Sequence, residues 1–223
     1  MSHERTKRTP RRIRVHVVHE SRMMAEAISV KLKSALPGAS VDGWTKSWHT
    51  YLNRAQGVAD VVLLDNELGD GGPTSVKVRT LARSGTGIVV LGGSEYAPAI
   101  RRVLAAGAHS YMVADEGSTS IAAAIAAAFR GETYESELLG RILGAHEATP
   151  VPELTARELE IVSMYLSGPG ASVPETAERF GLSAETVRTH ISHARRKYAG
   201  DDLTAVSKME LRRRMIRDGW ILE

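Results

Sequence analysis

The side chains best suited to recognise another molecule lie on one predicted helix, residues 183–198. Helical spacing places four apolar residues on one stripe of this helix: Val187, Ile191, Ala194 and Tyr198. The opposite side carries arginine and hydroxyl groups: Arg188, Thr189, Ser192 and Arg196. In the major groove of DNA an arginine bonds guanine bidentately, and serine or threonine adapts to several bases. The pattern indicates a base-reading helix, and from this segment alone a solvated basic surface is the alternative.

The residues before this helix predict the element that positions it. Ser172 and Glu175 have the spacing of a capping box, which opens a helix that ends at Gly181. Ser183 then caps the reading helix after a tight turn. Helix, tight turn and helix in this order form a helix-turn-helix.

Two further helices complete an all-α domain over residues 153–223. Thr155 and Glu158 form another capping box, which opens a helix through about Ser167. The last helix is predicted from about Thr204 to Asp218, with a glycine directly after its end.

Positive charge is concentrated in two places along the 223 residues, whose formal net charge is +3. Residues 1–12 hold five Lys/Arg against one acid, and residues 183–217 hold nine against four. Such clusters suit a polyanion-binding surface. We expect residues 1–12 to form a disordered basic tail with at most nonspecific phosphate contact.

Cysteine is absent, which excludes disulfides, thiolate metal sites and a cysteine nucleophile, and fits a reducing cytosol. The longest apolar run, 121–129, has nine residues, whereas a membrane helix needs about 20. The basic start of the chain is interrupted by Arg14 and His16, unlike a secretory signal. We therefore expect a cytoplasmic protein without a membrane partner.

The C-terminal motifs resemble the four-helix DNA-binding domain of the LuxR/NarL/FixJ regulators. The resemblance is carried by Leu154–Glu158, Ala177–Ser183 and Thr186–Ile191. It implies double-stranded DNA as the partner. It also implies base-edge contacts from Arg188, Thr189 and Ser192. Phosphate contacts are implied for Thr186, His190 and Arg196, and we expect another from Lys197 on the flank.

Residues 13–130 alternate short β-rich runs with stretches of helical spacing. Five strands are predicted: Ile13–Val18, Ser40–Trp44, Asp60–Leu64, Gly87–Leu91 and His109–Val113. Strand–helix units in series predict an α/β fold with a five-stranded parallel, doubly wound sheet. In such sheets the functional site lies at the carboxyl ends of the strands. Those ends carry His19, Glu20, Asp65, Gly92 and Ala114.

This half of the chain resembles the flavodoxin-like receiver domain of response regulators. The matching pieces are residues 13–20, 60–65, 105–111 and 131–134. A receiver followed by this DNA-binding domain is the NarL-type two-component architecture. Since DNA readers of this shape bind as pairs, we expect a homodimer. We place a linker with one short helix at 131–152.

The strand-end residues depart from what phosphoryl transfer to Asp65 requires. That chemistry needs a divalent cation, usually held by two acids, but one acid is replaced by His19. Gly92 stands where a hydroxyl should bond the phosphoryl group, and Ala114 stands where a lysine should. We therefore predict a degenerate receiver that is not phosphorylated, with no catalytic residue, metal or cofactor. His19 is expected to be a hydrogen-bonded histidine at a strand end.

Four hypotheses follow. The first is a sequence-specific transcriptional regulator whose degenerate receiver serves dimerisation, protein contacts or small-ligand sensing. The second is a conventional regulator phosphorylated at Asp65. The third is a module that heterodimerises with a related regulator. The fourth is an enzyme at the strand ends. It is disfavoured because the sequence has no glycine-rich phosphate loop after Val18, no Gly-x-Ser-x-Gly and no His-Glu-x-x-His.

Overall fold

The computed structural model describes residues 12–54, 59–69, 73–93, 95–113, 116–145, 151–166, 171–199 and 206–221. The expectations for the basic tail, apart from its last residue, and for Ala114 lie outside these residues. No helix in the described part is long and apolar enough to cross a membrane.

The N-terminal domain is built on a five-stranded parallel sheet, as predicted. Its strands are β1 (Ile13–Val18), β2 (Ala39–Thr45), β3 (Val61–Asp65), β4 (Gly87–Gly92) and β5 (Ser110–Val113). Their order in the sheet is β2-β1-β3-β4-β5. Every residue of β3 is buried, as a central strand between two helical layers requires. This order brings the ends of β1, β3, β4 and β5 to one edge.

Helices cover both faces of the sheet. They are α1 (Arg22–Ala35), α2 (Trp48–Asn53), α3 (Thr74–Ala82), α4 (Ala97–Ala105) and α5 (Ser118–Phe129). On one face, α1 and α5 bury Ile28 and Ile125 against Val17 and Leu63. On the other face, α3 and α4 pack in a second core with alternate residues of the same strands. The alternation follows from the two-residue period of a strand.

The segment predicted as a linker at 131–152 contains the one short helix that was expected, but this helix packs into the first domain. Residues Glu137–Ala145 form helix α6, and its Leu139 and Ile142 are buried in the core beside α4 and β5. Apolar residues three apart give this short helix one buried stripe. The first domain therefore extends at least to Ala145 rather than to residue 130.

The second domain contains four helices and no strand among its described residues. Its helices are α7 (Ala156–Leu166), α8 (Val173–Phe180), α9 (Ala184–Ala199) and α10 (Lys208–Arg217). Both predicted capping boxes form, with Glu158 accepting the Thr155 N–H at 2.8 Å and Glu175 accepting the Ser172 N–H at 2.6 Å. Gly181 ends α8 in the left-handed region, at φ 62°.

The last helix begins later than predicted. Ser207 caps it by accepting the N–H of Glu210, so α10 begins at Lys208 rather than near Thr204. Gly219 follows its end with φ 70°, as predicted for a left-handed C′ residue.

The chain beyond α10 contacts the first domain. The guanidinium carbon of Arg102 on α4 lies 3.7 Å from the ring centroid of Trp220. A Cβ on Gly219 would lie 3.0 Å from the Cβ of Ala99, so the two backbones approach closely. These contacts connect α4 to the end of the helical domain.

Candidate DNA interface and strand-end pocket

Helix α9 presents the two faces predicted for a reading helix. The apolar stripe is buried in the domain core and packs with α7 and α8: Val187, Ile191, Ala194 and Tyr198. The polar side chains on the other face are exposed: Arg188, Thr189, Ser192 and Arg196. The predicted base-contacting residues therefore lie together on one open surface.

Local hydrogen bonds hold the first turns of α9. Thr186 donates its N–H to the Ser183 hydroxyl at 3.1 Å, so it belongs to the helix cap. The Thr189 hydroxyl donates to the carbonyl of Glu185 at 3.0 Å. Arg188 lies 3.2 Å from the Glu185 carboxylate, and both side chains are exposed. Exposed pairs of this kind are worth only about 0.3–0.5 kcal/mol, so Arg188 is readily released to another partner.

Lys197, for which we predict a phosphate contact, also makes contacts within the domain. Its ammonium lies 2.6 Å from the Glu158 carboxylate and donates to the carbonyl of Glu153 at 3.0 Å. Burial raises the pKa of Glu158, but hydrogen bonds from Lys197 and Thr155 outweigh burial and lower it. Lys197 therefore neutralises a buried acid within the domain. His190, which is also predicted to contact phosphate, has a half-buried ring.

A cavity of about 280 Å³ opens at the carboxyl edge of the sheet. It brings together three of the predicted pocket residues, His19, Asp65 and Gly92. Glu20 follows β1 at the same edge of the sheet, where its carboxylate accepts the N–H of Gly69 at 2.9 Å. Apolar side chains of α1, β5 and α5 form one wall of the cavity: Met24, Ile28, Met112, Val113 and Ile121.

Asp65 ends β3 and is buried at the floor of this pocket, with 8% of its surface exposed. Burial raises its pKa, and the carboxylates of Glu67 and Glu20 raise it further, against the opposing effects of the Glu67 N–H and of His19. The Glu67 N–H donates to Asp65 Oδ1 at 2.8 Å. The pocket thus holds a carboxylate whose charged form is disfavoured.

His19 is a hydrogen-bonded histidine, as predicted. The N–H of Ser21 donates to its Nδ1 at 2.9 Å, so that nitrogen carries a lone pair and no proton. The same nitrogen is 3.7 Å from Asp65 Oδ2, so the imidazole ring lies beside the carboxylate.

The donors around Asp65 do not fit a divalent cation. His19 Nδ1 and one oxygen of Glu20 already accept backbone N–H groups. The described residues contain no group of three or more acidic, histidine or cysteine side chains that could hold a metal ion. A cation such as Mg²⁺ prefers several free oxygen ligands in octahedral geometry.

Tyr111 lies over Gly92, where a hydroxyl side chain would be needed. Its ring is buried, with 1% of the residue exposed. A Cβ on Gly92 would clash with the Tyr111 hydroxyl and would lie 2.9 Å from Cζ of the same ring. The tyrosine therefore fills the volume that a larger residue at position 92 would occupy.

Sequence reasoning missed two acids of this pocket, Glu67 and Glu116. Each follows the end of a strand by two or three residues, which was the available signal. Glu67 accepts the N–H of Gly93 at 2.9 Å, and Glu116 accepts the N–H of Val113 at 3.0 Å. Both reach back to backbone amides at the ends of β4 and β5.

Known proteins are similar to this chain in both of its domains. Residues 152–197 match the family described as region 4 of sigma-70. The transcriptional regulatory protein LiaR of Bacillus subtilis (strain 168) is 32% identical over 152 residues, covering 65% of this chain and 71% of LiaR. The response regulator RamR of Streptomyces coelicolor is 30% identical over 191 residues, covering 83% of this chain and 89% of RamR.

Solved structures share the fold. The response regulator RcsB in its DNA complex matches with a TM-score of 0.58 at 18% identity, over 92% of this chain and 98% of that chain. ChrA, a response regulator of a haem-sensing two-component system, matches with a TM-score of 0.52 at 22% identity, over 95% and 100%.

A receiver-type sheet joined to a helix-turn-helix domain defines a two-domain regulator of transcription. The identity to RamR over most of both chains shows that this chain belongs to the response regulators. It is a DNA-binding member of the NarL/LuxR type, as the sequence motifs predicted.

Proposed function

We propose that this protein is a sequence-specific transcriptional regulator that binds DNA as a homodimer and acts without phosphorylation of Asp65. Sequence reading is assigned to the exposed face of α9, with Arg188, Thr189 and Ser192 at base edges and Arg196 near phosphate. Thr186 contributes through the helix cap that faces the DNA backbone. Such a regulator works in the cytoplasm of a bacterial cell and has no catalytic role.

The pocket around Asp65 is the observation that carries the phosphorylation-independent part. Phosphoryl transfer to a carboxylate depends on a cation and on donors that offset the developing charge. Here His19 Nδ1 and an oxygen of Glu20 accept backbone N–H groups, and Tyr111 fills the space above Gly92. These features support a receiver that has lost the means to stabilise an aspartyl phosphate.

The homodimer is supported by the size of the reading surface. One recognition helix offers few base contacts, and helix-turn-helix proteins gain affinity by occupying two half-sites. RcsB, which shares the fold, is described as dimers bound to DNA.

Incubation with acetyl phosphate and Mg²⁺ tests the proposal by intact mass. We expect no change in mass for this protein, whereas a conventional response regulator in the same reaction gains one phosphate. Stoichiometric phosphorylation that Asp65→Asn abolishes would establish the conventional mechanism instead. Selection of genomic fragments by the untreated protein then tests DNA reading, with the expected result a motif of two half-sites.

A further inference from the structure

Backbone N–H groups along the carboxyl edge of the sheet donate to side chains of the pocket itself. Four of their acceptors are carboxylates and one is a histidine: Asp65, Glu20, Glu67, Glu116 and His19. The distances between donor and acceptor atoms run from 2.8 to 3.0 Å. Hydrogen bonds to charged acceptors are stronger than those between neutral groups. Two of these bonds connect different strand ends: the Gly69 N–H donates to Glu20, and the Gly93 N–H donates to Glu67.

Glu67 makes the connection between β3 and β4. Its N–H donates to Asp65 on its own strand, and its Oε1 accepts the N–H of Gly93, which directly follows β4. The two strands are neighbours, with Asp65 paired to Leu91, so this side chain spans adjacent strand ends.

Gly93 and Asp65 line the same cavity, so the Gly93 N–H is a candidate donor to an anion carried by Asp65. A phosphoryl group carries its charge on peripheral oxygens, which backbone N–H groups stabilise well. The pocket lining places Gly93 and Asp65 around the same cavity, and the N–H of Gly93 already meets a carboxylate oxygen. Glu67 thus supplies a negatively charged oxygen at the end of β4 without any covalent modification.

We propose that Glu67 is a positioning residue whose carboxylate substitutes for a phosphoryl group. It holds the start of the β4–α4 connection in one arrangement, with Tyr111 buried over Gly92. In that arrangement the DNA-binding form is the resting form of the protein. This inference rests on the proposed function, because it explains how a regulator that is not phosphorylated keeps its receiver in one state.

The connection held by Glu67 leads to the DNA-binding domain. Helix α4 begins at Ala97, four residues after Gly93, and its Arg102 stacks on Trp220. Tyr96, just before α4, lies 5.7 Å from the guanidinium carbon of Arg217 on α10. A shift at the end of β4 would therefore be transmitted to the end of the helical domain through α4.

Glu67→Ala and Glu67→Gln test the proposal in the full-length chain, with Glu26→Gln as a control. Glu26 is an exposed acid on α1, outside the pocket. We expect Glu67→Ala to weaken binding to the selected DNA about tenfold, the size of one lost hydrogen bond to a charged group. Glu67→Gln keeps an oxygen that accepts the Gly93 N–H, so it should recover part of this loss. Glu26→Gln should bind like the parent.

Amide hydrogen exchange at Gly93 supplies a readout that does not depend on DNA. We expect exchange at this amide to accelerate at least fivefold in Glu67→Ala and to stay like the parent in Glu26→Gln. Parent-like DNA affinity and parent-like exchange in Glu67→Ala would overturn the inference. If the parent itself selected no DNA sequence, the proposed function would fail, and exchange at Gly93 would still decide whether Glu67 holds the strand end.

Discussion

The guanidinium of Arg102 stacks on the indole ring of Trp220, with 3.7 Å between Cζ and the ring centroid. Burial lowers the pKa of Arg102, while the nearby carboxylate of Asp218 opposes that effect. A desolvated stack of a cation on tryptophan is worth about 2 kcal/mol. The contact joins α4 of the receiver to the residue that follows the turn after α10.

The same stretch of chain also reaches the reading helix. Tyr198 ends the apolar stripe of α9, and burial together with the carboxylate of Asp218 raises its pKa. Arg214 on α10 donates to the carbonyl of Tyr198 at 2.8 Å. The receiver therefore contacts α9 indirectly, through the residues at the end of α10.

The contact between domains can be tested at two glycines with similar backbone angles. Gly219 and Gly181 have φ of 70° and 62°, so alanine costs each about 1–2 kcal/mol in backbone strain. Only Gly219→Ala also crowds Ala99, at 3.0 Å, while a Cβ at Gly181 meets no atom of the described residues within 4 Å. We expect small-angle scattering to show a larger radius of gyration for Gly219→Ala and a parent-like radius for Gly181→Ala. Equal radii in both variants would show that this contact does not join the domains.

Arg188→Ala tests the assignment of the reading face. We expect it to lower affinity for the selected site by about 1–3 kcal/mol and to relax discrimination at one base pair of each half-site. Arg213→Ala is the matched control, because Arg213 forms the same exposed i,i+3 pair, with Glu210 at 3.0 Å, on α10. Fluorescence anisotropy with a set of single-base variants of the site measures both effects. An unchanged base preference in Arg188→Ala would show that this face of α9 does not read the bases.

Lys197→Met is expected to act on stability rather than on the salt dependence of DNA binding. Removing the ammonium takes the cation at 2.6 Å from the Glu158 carboxylate, whose side chain is 7% exposed, and leaves the His193 ring nitrogen at 3.9 Å. Because Lys197 itself is partly exposed, we expect a loss of about 1–3 kcal/mol in the free energy of unfolding. Urea denaturation measures it, and Glu158→Gln in the same chain should recover part of the loss. If Lys197→Met is as stable as the parent, and the slope of log affinity against log salt concentration falls by about one, then Lys197 contacts a phosphate instead.

The lowered pKa of His16 makes the stability of the folded protein depend on pH. It is buried on β1, where burial and the adjacent Arg54 charge lower its pKa to about 4. The unfolded chain binds this proton near pH 6.5, so the unfolded state gains protons first as the pH falls. As the pH falls from about 6.5 to 4, we therefore expect His16 to lower the free energy of unfolding by about 2–3 kcal/mol.

His16→Asn should flatten this decrease, whereas His49→Asn, at an exposed position of α2, should leave it intact. Thermal denaturation at half-unit intervals of pH measures the difference. An equal slope in parent and His16→Asn would show that another group causes the acid sensitivity.

Local signals predicted most of the fold. The capping boxes at Thr155 and Ser172 act within three residues, and the buried strands follow from their own apolar runs, so a sequence reading finds both. Helix α6 was placed in a linker because its glycines weaken the pattern, and its burial depends on α4 and β5. The start of α10 was missed because Thr204 and Ser207 are both suitable caps.

The site was predicted less completely, because its hydrogen bonds join residues far apart in sequence. Glu67 reaches Gly93 across 26 residues, and Lys197 reaches Glu158 across 39. The periodicity of a helix or a strand does not predict either of these contacts. The absence of a hydroxyl at position 92 was visible in the sequence, but the tyrosine that lies over that position was not.

The fit of Tyr111 over Gly92 has an evolutionary consequence. A side chain introduced at position 92 would meet the end of the Tyr111 ring, so it is accommodated only if that ring moves. A smaller residue in place of Tyr111 would leave a hole in the core beside a glycine, which is unfavourable. The sizes of residues 92 and 111 are therefore coupled, and we expect substitutions at these two positions to be tolerated in pairs more readily than singly.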